Sequence, residues 1–131
     1  MNIKDEKTEI RPPVILFADD DKSCLDISVQ MLNRLGYTVL QAKDGQEAIE
    51  VYKNNQDSVD LVILDMKMPH NGEHTFDELR KINSDLRIIL TSGFTEDYRI
   101  RELVKQGCKG FLQKPFDLKI LSQKIRDVLK N

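Results

Sequence analysis

Short apolar runs alternate with amphipathic stretches along almost the whole chain. Val14 to Ala18 is continuously apolar, the mark of a strand covered on both faces. Cys24, Ser28, Met31, Leu32 and Leu35 follow at helical spacing and stop at Gly36, a residue suited to the left-handed turn that closes a helix. The alternation then repeats. Thr38 to Ala42 predicts a strand, and Asp44 with Glu47 three residues on predicts the capped start of a helix running to about Asn54. Leu61 to Leu64 and Ile88 to Leu90 are nearly unbroken β-favouring runs, expected at the centre of a sheet. Between them Phe76, Leu79 and Ile82 keep a three-residue step that predicts a third helix. Ile100, Leu103 and Val104 predict a short fourth helix ended by Gly107, and Gly110 to Gln113 a fifth strand. Leu118, Leu121, Ile125, Val128 and Leu129 predict a closing amphipathic helix. Strand and helix in strict alternation give the α/β class: a doubly wound, five-stranded, mainly parallel sheet with five helices on its two faces.

Composition narrows the picture. With 131 residues, 40% hydrophobic and 32% charged, the chain has the size and apolar content of one domain. Residues 1–13 are charged and polar and close with Pro12-Pro13, so they are expected to form a flexible N-terminal tail ahead of a domain over 14–131. No apolar run approaches the roughly 20 residues of a membrane helix, and Met1 to Arg11 lacks the apolar core of a secretory signal. A cytoplasmic protein without membrane contact is therefore expected. Cys24 and Cys108 show no metal-ligand spacing and are expected to stay reduced. A net charge of −2 with scattered positive residues argues against direct nucleic-acid contact.

Open parallel sheets bind ligands outside the carboxyl ends of their strands. Here the first strand runs into Asp19-Asp20-Asp21, the third into Asp65, the fourth into Thr91-Ser92 and the fifth into Lys114-Pro115. Taken singly, each has a structural explanation as a helix cap, a turn or a solvated charge. Together, carboxylates converging on one crevice repel one another unless a cation sits between them. All-oxygen ligands at a partly open site suit Mg²⁺, which commonly also accepts a phosphate oxygen. Lys114 offers a compact positive charge and Ser92 a hydroxyl, both suited to the oxygens of a phosphoryl group in transfer. Asp65, ending a central strand, is then the expected nucleophile, since aspartyl phosphate is established covalent chemistry. His70 and His74 lie four apart but lack a third ligand, and are expected to be ordinary polar positions.

Val14-Ile15-Leu16-Phe17-Ala18-Asp19-Asp20, Leu64-Asp65-Met66-Lys67-Met68-Pro69, Leu90-Thr91-Ser92-Gly93 and Gly110-Phe111-Leu112-Gln113-Lys114-Pro115-Phe116 resemble, in order, the landmarks of response-regulator receiver domains. The resemblance covers about residues 14 to 131. It implies that Asp65 is the phosphoacceptor, that Asp19, Asp20 and Asp65 bind Mg²⁺ together with the backbone carbonyl of Lys67, and that Ser92 follows the phosphoryl group. It implies that Phe111 is a rotating switch aromatic and that the Lys114–Pro115 bond is cis. It also implies the strand order 2-1-3-4-5, which the general rule for such sheets itself illustrates with a member of this family. A histidine kinase or histidine phosphotransfer protein is the implied partner. A homodimer through the face of helix four, strand five and helix five is a further expectation. The Leu-Thr-Ser-Gly-Phe run is closer to receivers of hybrid sensor kinases. Two departures stand out: Met68-Pro69-His70-Asn71-Gly72 is one residue shorter than the commonest spacing, and Phe94 lies two residues past Ser92.

Three other classes fit the residues less well. A flavin carrier needs a Ser/Thr/Gly-rich first loop, and this one is acidic. An aspartate-nucleophile phosphatase would use Asp19 with Asp21, leaving Asp65 without a role and the substrate without a cap domain. A non-phosphorylated receiver-like interaction module would not need every acid, hydroxyl and lysine position filled. The expectation is a phosphoacceptor that assists its own phosphorylation and dephosphorylation, and not an enzyme with turnover.

Overall fold

The computed structural model describes residues 11–67, 72–93 and 98–130. Among them strands and helices alternate as β1 (Val14–Ala18), α1 (Lys22–Arg34), β2 (Thr38–Ala42), α2 (Gly45–Asn54), β3 (Val59–Asp65), α3 (Gly72–Ile82), β4 (Ile88–Ser92), α4 (Tyr98–Lys105), β5 (Gly110–Gln113) and α5 (Leu118–Leu129). The strands form one sheet in the order β2-β1-β3-β4-β5, and every pair is parallel. Strand order reverses between β1 and β3, which opens a crevice at their carboxyl ends.

Burial explains the continuous apolar runs. Every residue of β1 and β4 is buried because helices cover both faces. On one face Leu16, Ala18, Val62, Leu64 and Leu90 pack with Ala48 and Tyr52 of α2, Phe76 and Leu79 of α3, and Ile100 and Leu103 of α4. On the other, Ile15, Phe17, Ile63, Ile89 and Leu112 pack with Leu25 and Leu32 of α1 and Leu121 and Ile125 of α5. Alternate residues of each strand thus feed two separate cores.

β3 starts two residues earlier than its apolar run. The register steps from Val14↔Val59 to Ile15↔Leu61, so Asp60 is the extra residue. Its carboxylate accepts the Val14 N–H at 2.8 Å and a guanidinium hydrogen of Arg11 at 3.3 Å. A polar residue inside a strand is invisible to a search for apolar runs. Helix starts follow the caps: Asp44 accepts from Glu47 N–H at 2.8 Å, while the Glu47 side chain reaches past the cap to Lys43 N–H at 2.9 Å, a variant of the expected capping box. The buried stripe of α1 is Leu25, Ser28 and Leu32, with Cys24, Met31 and Leu35 half-buried beside it. Val104 departs from expectation. It is 51% exposed, whereas Ile100 and Leu103 on the same helix are buried. Of the N-terminal segment, residues 11–13 are described, and there the Pro13 carbonyl accepts from Thr38 N–H at 3.0 Å. Met68 to Asn71 and Phe94 lie outside the described residues, as does His70, whereas His74 is exposed on α3.

Gly36 and Gly107 close α1 and α4 with φ of 92° and 106°. At Gly107 the carbonyl accepts from Arg80 Nη1 at 3.1 Å, and an added Cβ would lie 2.7 Å from Arg80 Nη2. Gly107→Ala should therefore destabilise the protein by about 1–2 kcal/mol through the left-handed backbone alone. Urea denaturation reads this as a lower midpoint at constant slope. An unchanged midpoint would mean that the turn relaxes without cost.

Candidate functional site

Strand ends carry the site residues, and the hydrogen-bond ladder holds them past the last strand residue. Asp19 N–H still bonds Ala42 O at 3.1 Å, Met66 N–H bonds Thr91 O at 2.9 Å, and Lys114 N–H bonds Ser92 O at 2.8 Å. Asp19 is fully buried. Its Oδ1 accepts the Asp21 N–H at 2.9 Å and its Oδ2 accepts Lys114 Nζ at 2.8 Å. Asp65 is 2% exposed, its Oδ1 accepts the Lys67 N–H at 3.1 Å, and its Oδ2 lies 3.3 Å from the same Lys114 Nζ. Asp20 is exposed. Asp21 serves elsewhere, capping α1 by accepting from Cys24 N–H at 3.1 Å. The acidic triplet therefore divides: Asp19 and Asp20 join Asp65, and Asp21 starts a helix.

Ligand oxygens of Asp19, Asp20 and Asp65 lie within 4.8 Å of one another. Burial pushes the Asp19 carboxyl above its ordinary value and the Asp65 charge adds to this, against the hydrogen bonds from Lys114 and Asp21. For Lys114, burial works against the charge. Its hydrogen bond to Asp19 and the charges of Asp65 and Asp19 outweigh that, and the ammonium is held above its ordinary value. Three carboxylates facing one amine leave an excess of negative charge. A hard, all-oxygen donor set with one exposed member fits a Mg²⁺-type ion that keeps part of its water.

The Lys114–Pro115 bond is cis, as the resemblance implied. Ser92 is fully buried as the last residue of β4. Register pairs Asp65 with Thr91, so Ser92 sits one residue further toward the carboxyl edge. Leu90 pairs with Phe111, and strand alternation puts Ser92 on that same face of the sheet. Phe111 is half-buried against the α2, α3 and α4 core, and the Lys67 side chain is exposed. Two features escaped the sequence. Lys114 already pairs with both carboxylates, a contact between residues 95 apart in the chain. Next to it, Cys24, Ile27 and Met31 of α1 with Pro115 and Phe116 line an open, mostly apolar cavity of about 350 Å³. Burial raises the Cys24 thiol, which makes it a poor nucleophile.

Lys114→Met removes the partner of a fully buried carboxylate. In metal-free buffer at pH 7 it should cost about 2–3 kcal/mol, below the range for fully enclosed pairs because Lys114 is 20% exposed. Without the amine, burial raises Asp19 further. A carboxyl whose folded value exceeds its unfolded one stabilises the fold when protonated, and that stability is lost as pH rises through the folded value. The deficit relative to the native protein should therefore shrink as the pH falls from 7 toward 4. Chemical denaturation at several pH values would contradict this if the deficit stayed constant or grew.

Comparison with known proteins agrees with this geometry. The family model described as the response regulator receiver domain matches residues 15–126. Sensor kinase CckA of Brucella abortus is 36% identical over 117 residues, covering 88% of this chain and 12% of that protein. The transcriptional regulatory protein CpxR of Klebsiella pneumoniae is 37% identical over 117 residues, covering 88% of this chain and 49% of CpxR. The chain thus spans half or less of these relatives. Among solved structures, a receiver domain protein of Clostridium thermocellum superposes with TM-score 0.86 at 29% identity, covering 90% of this chain and 94% of that one. CheY of Borrelia burgdorferi, in a complex with CheX, BeF3 and Mg, superposes with TM-score 0.87 at 26% identity, covering 93% and 92%. Motifs, strand order and these matches agree: the chain belongs to the response-regulator receiver family.

Proposed function

We propose that this receiver is the phosphoaccepting switch of a two-component phosphorelay, taking a phosphoryl group onto Asp65 from a histidine kinase or histidine phosphotransfer protein. The observation that carries this reading is the meeting of the Asp19, Asp20 and Asp65 oxygens within 4.8 Å beside Lys114 Nζ. Support comes from the relatives, a sensor kinase and a transcriptional regulatory protein, and from the CheY complex with BeF3 and Mg. The phosphatase alternative leaves Asp65 without a role.

Asp19, Asp20 and Asp65, with the Lys67 carbonyl, would hold Mg²⁺. When bound, the ion neutralises charge between these carboxylates and the oxygens of the incoming phosphoryl group. An Asp65 oxygen forms the new bond to phosphorus as the bond from phosphorus to the donor's imidazole nitrogen breaks, and the electron pair stays on that nitrogen. Lys114 turns from the Asp65 carboxylate to a phosphoryl oxygen. Ser92, one residue beyond the level of Asp65, donates its hydroxyl to another. Movement of Ser92 frees space on its face of the sheet, and Phe111 on that face rotates inward. The surface made by α4, β5 and α5 changes as a result, and a partner or a second copy of the chain reads it. The protein is a phosphoacceptor and not a turnover enzyme, working in the cytoplasm without direct nucleic-acid contact. No helix among the described residues is long and apolar enough to cross a membrane.

Asp65→Asn should abolish labelling by acetyl phosphate with Mg²⁺, because the amide is a far poorer nucleophile. Full labelling of that variant, read by intact mass, would refute the phosphoacceptor assignment. Asp20→Ala should keep the fold, since it relieves repulsion among the carboxylates, and lose most of the rise in melting temperature that Mg²⁺ produces in the native protein. An undiminished rise would remove Asp20 from the metal site.

A further inference from the structure

Thr91 is fully buried, and its Oγ1 makes no hydrogen bond to any described residue. A buried hydroxyl without a partner is costly, so its neighbours matter. Thr91 pairs in register with Asp65 on one side and with Leu112 on the other. Two pairs back, Ile63 and Ile89 both belong to the α1 and α5 core, whereas Leu64 and Leu90, one pair back, belong to the opposite core. Strand alternation therefore puts Asp65 and Thr91 side by side on the α1 and α5 face. Lys114, two residues beyond Leu112, returns to that face and reaches Asp65 at 3.3 Å. Ser92 lies on the other face. The end of β4 thus offers two hydroxyls, one beyond the acceptor aspartate and one level with it.

We propose that Thr91 is a second hydroxyl donor of this site, serving Asp65 itself and setting the lifetime of the aspartyl phosphate. The inference rests on the phosphoacceptor reading above. In the resting site the Asp65 oxygens already have Lys67 N–H and Lys114 as partners, and Thr91 has none. Once Lys114 turns to the phosphoryl oxygens, the Asp65 carboxyl loses its contact with that amine. In hydrolysis a water oxygen bonds to phosphorus, the bond from phosphorus to the Asp65 oxygen breaks, and its electron pair returns to the carboxylate. The proton released by the water leaves with inorganic phosphate. Charge grows on Asp65 at the moment it lacks Lys114, and the Thr91 hydroxyl rotates to donate to it.

The test loads the full chain with radiolabelled acetyl phosphate and Mg²⁺, removes the donor and follows loss of label. Thr91→Val keeps the shape and removes the hydroxyl. It should lengthen the half-life roughly fivefold, the effect of one neutral hydrogen bond, with a melting temperature no lower than that of the native protein. Thr91→Ser keeps a hydroxyl and should decay within about twofold of the native rate. A purely structural threonine predicts neither the slow decay of the valine variant nor its rescue by serine. If Thr91→Val fails to fold, Thr91→Ala removes the same hydroxyl and decides the matter. Decay of the hydroxyl-free variant at or above the native rate, or serine decaying as slowly as valine, overturns the proposal alone. A native chain that takes no label on Asp65 overturns the phosphoacceptor reading and this proposal with it.

Discussion

Everything at the carboxyl edge of this sheet depends on the balance between carboxylates and one amine. Asp19 and Asp65 are almost wholly withdrawn from water, a placement that costs several kilocalories per mole for an unpaired ion. Lys114 Nζ, 2.8 Å from one and 3.3 Å from the other, makes that burial tolerable. One amine does not offset three acids, however. The excess of negative charge, open to solvent at Asp20, makes a donor set that fits a divalent cation.

Such a balance works only if its members cannot drift. The strands that carry them are packed on both faces, and the ladder continues through Asp19, Met66 and Lys114 to Ala42, Thr91 and Ser92. Asp19, Ser92 and Lys114 are therefore each tied by backbone bonds to a neighbouring strand or its extension. Interiors packed at this density shift between discrete arrangements and do not deform smoothly, which suits a two-state signal.

Strand alternation also divides the site residues between the two faces of the sheet. Asp19, Asp65 and Lys114 lie on the α1 and α5 side, with Thr91 beside them. Ser92 and Phe111 lie on the side of α3 and α4. A period of two residues lets adjacent positions of β4 address opposite faces, so Thr91 lies beside Asp65 and Ser92 on the other side of the sheet. Phe111, on the Ser92 side, is half-buried against the core that α2, α3 and α4 share.

Apolar periodicity and caps were enough to read the five strands and five helices, and the strand ends brought the Asp19 to Asp21 triplet, Asp65, Ser92 and Lys114 to one edge, while the choice of Asp19 and Asp20 within the triplet came from the family resemblance. These signals are local: a buried strand needs an unbroken apolar run, a helix needs a stripe and a cap, and the chain records both directly. The β3 start at Val59 was missed because the polar Asp60 sits inside the strand as an unpaired extra residue, and the exposure of Val104 because an apolar residue at helical spacing does not by itself say what packs against it. No local signal told which acid of the triplet caps α1; the family resemblance named Asp19 and Asp20 as the pair that joins Asp65, and the path of the chain after β1 brings those two together with it and leaves Asp21 as the cap. Only the tertiary structure decided the double contact made by Lys114 and the unpartnered hydroxyl of Thr91. These depend on register between strands far apart in sequence, and register is set by how two cores close around the sheet, a property of the packed structure that no local run of residues carries.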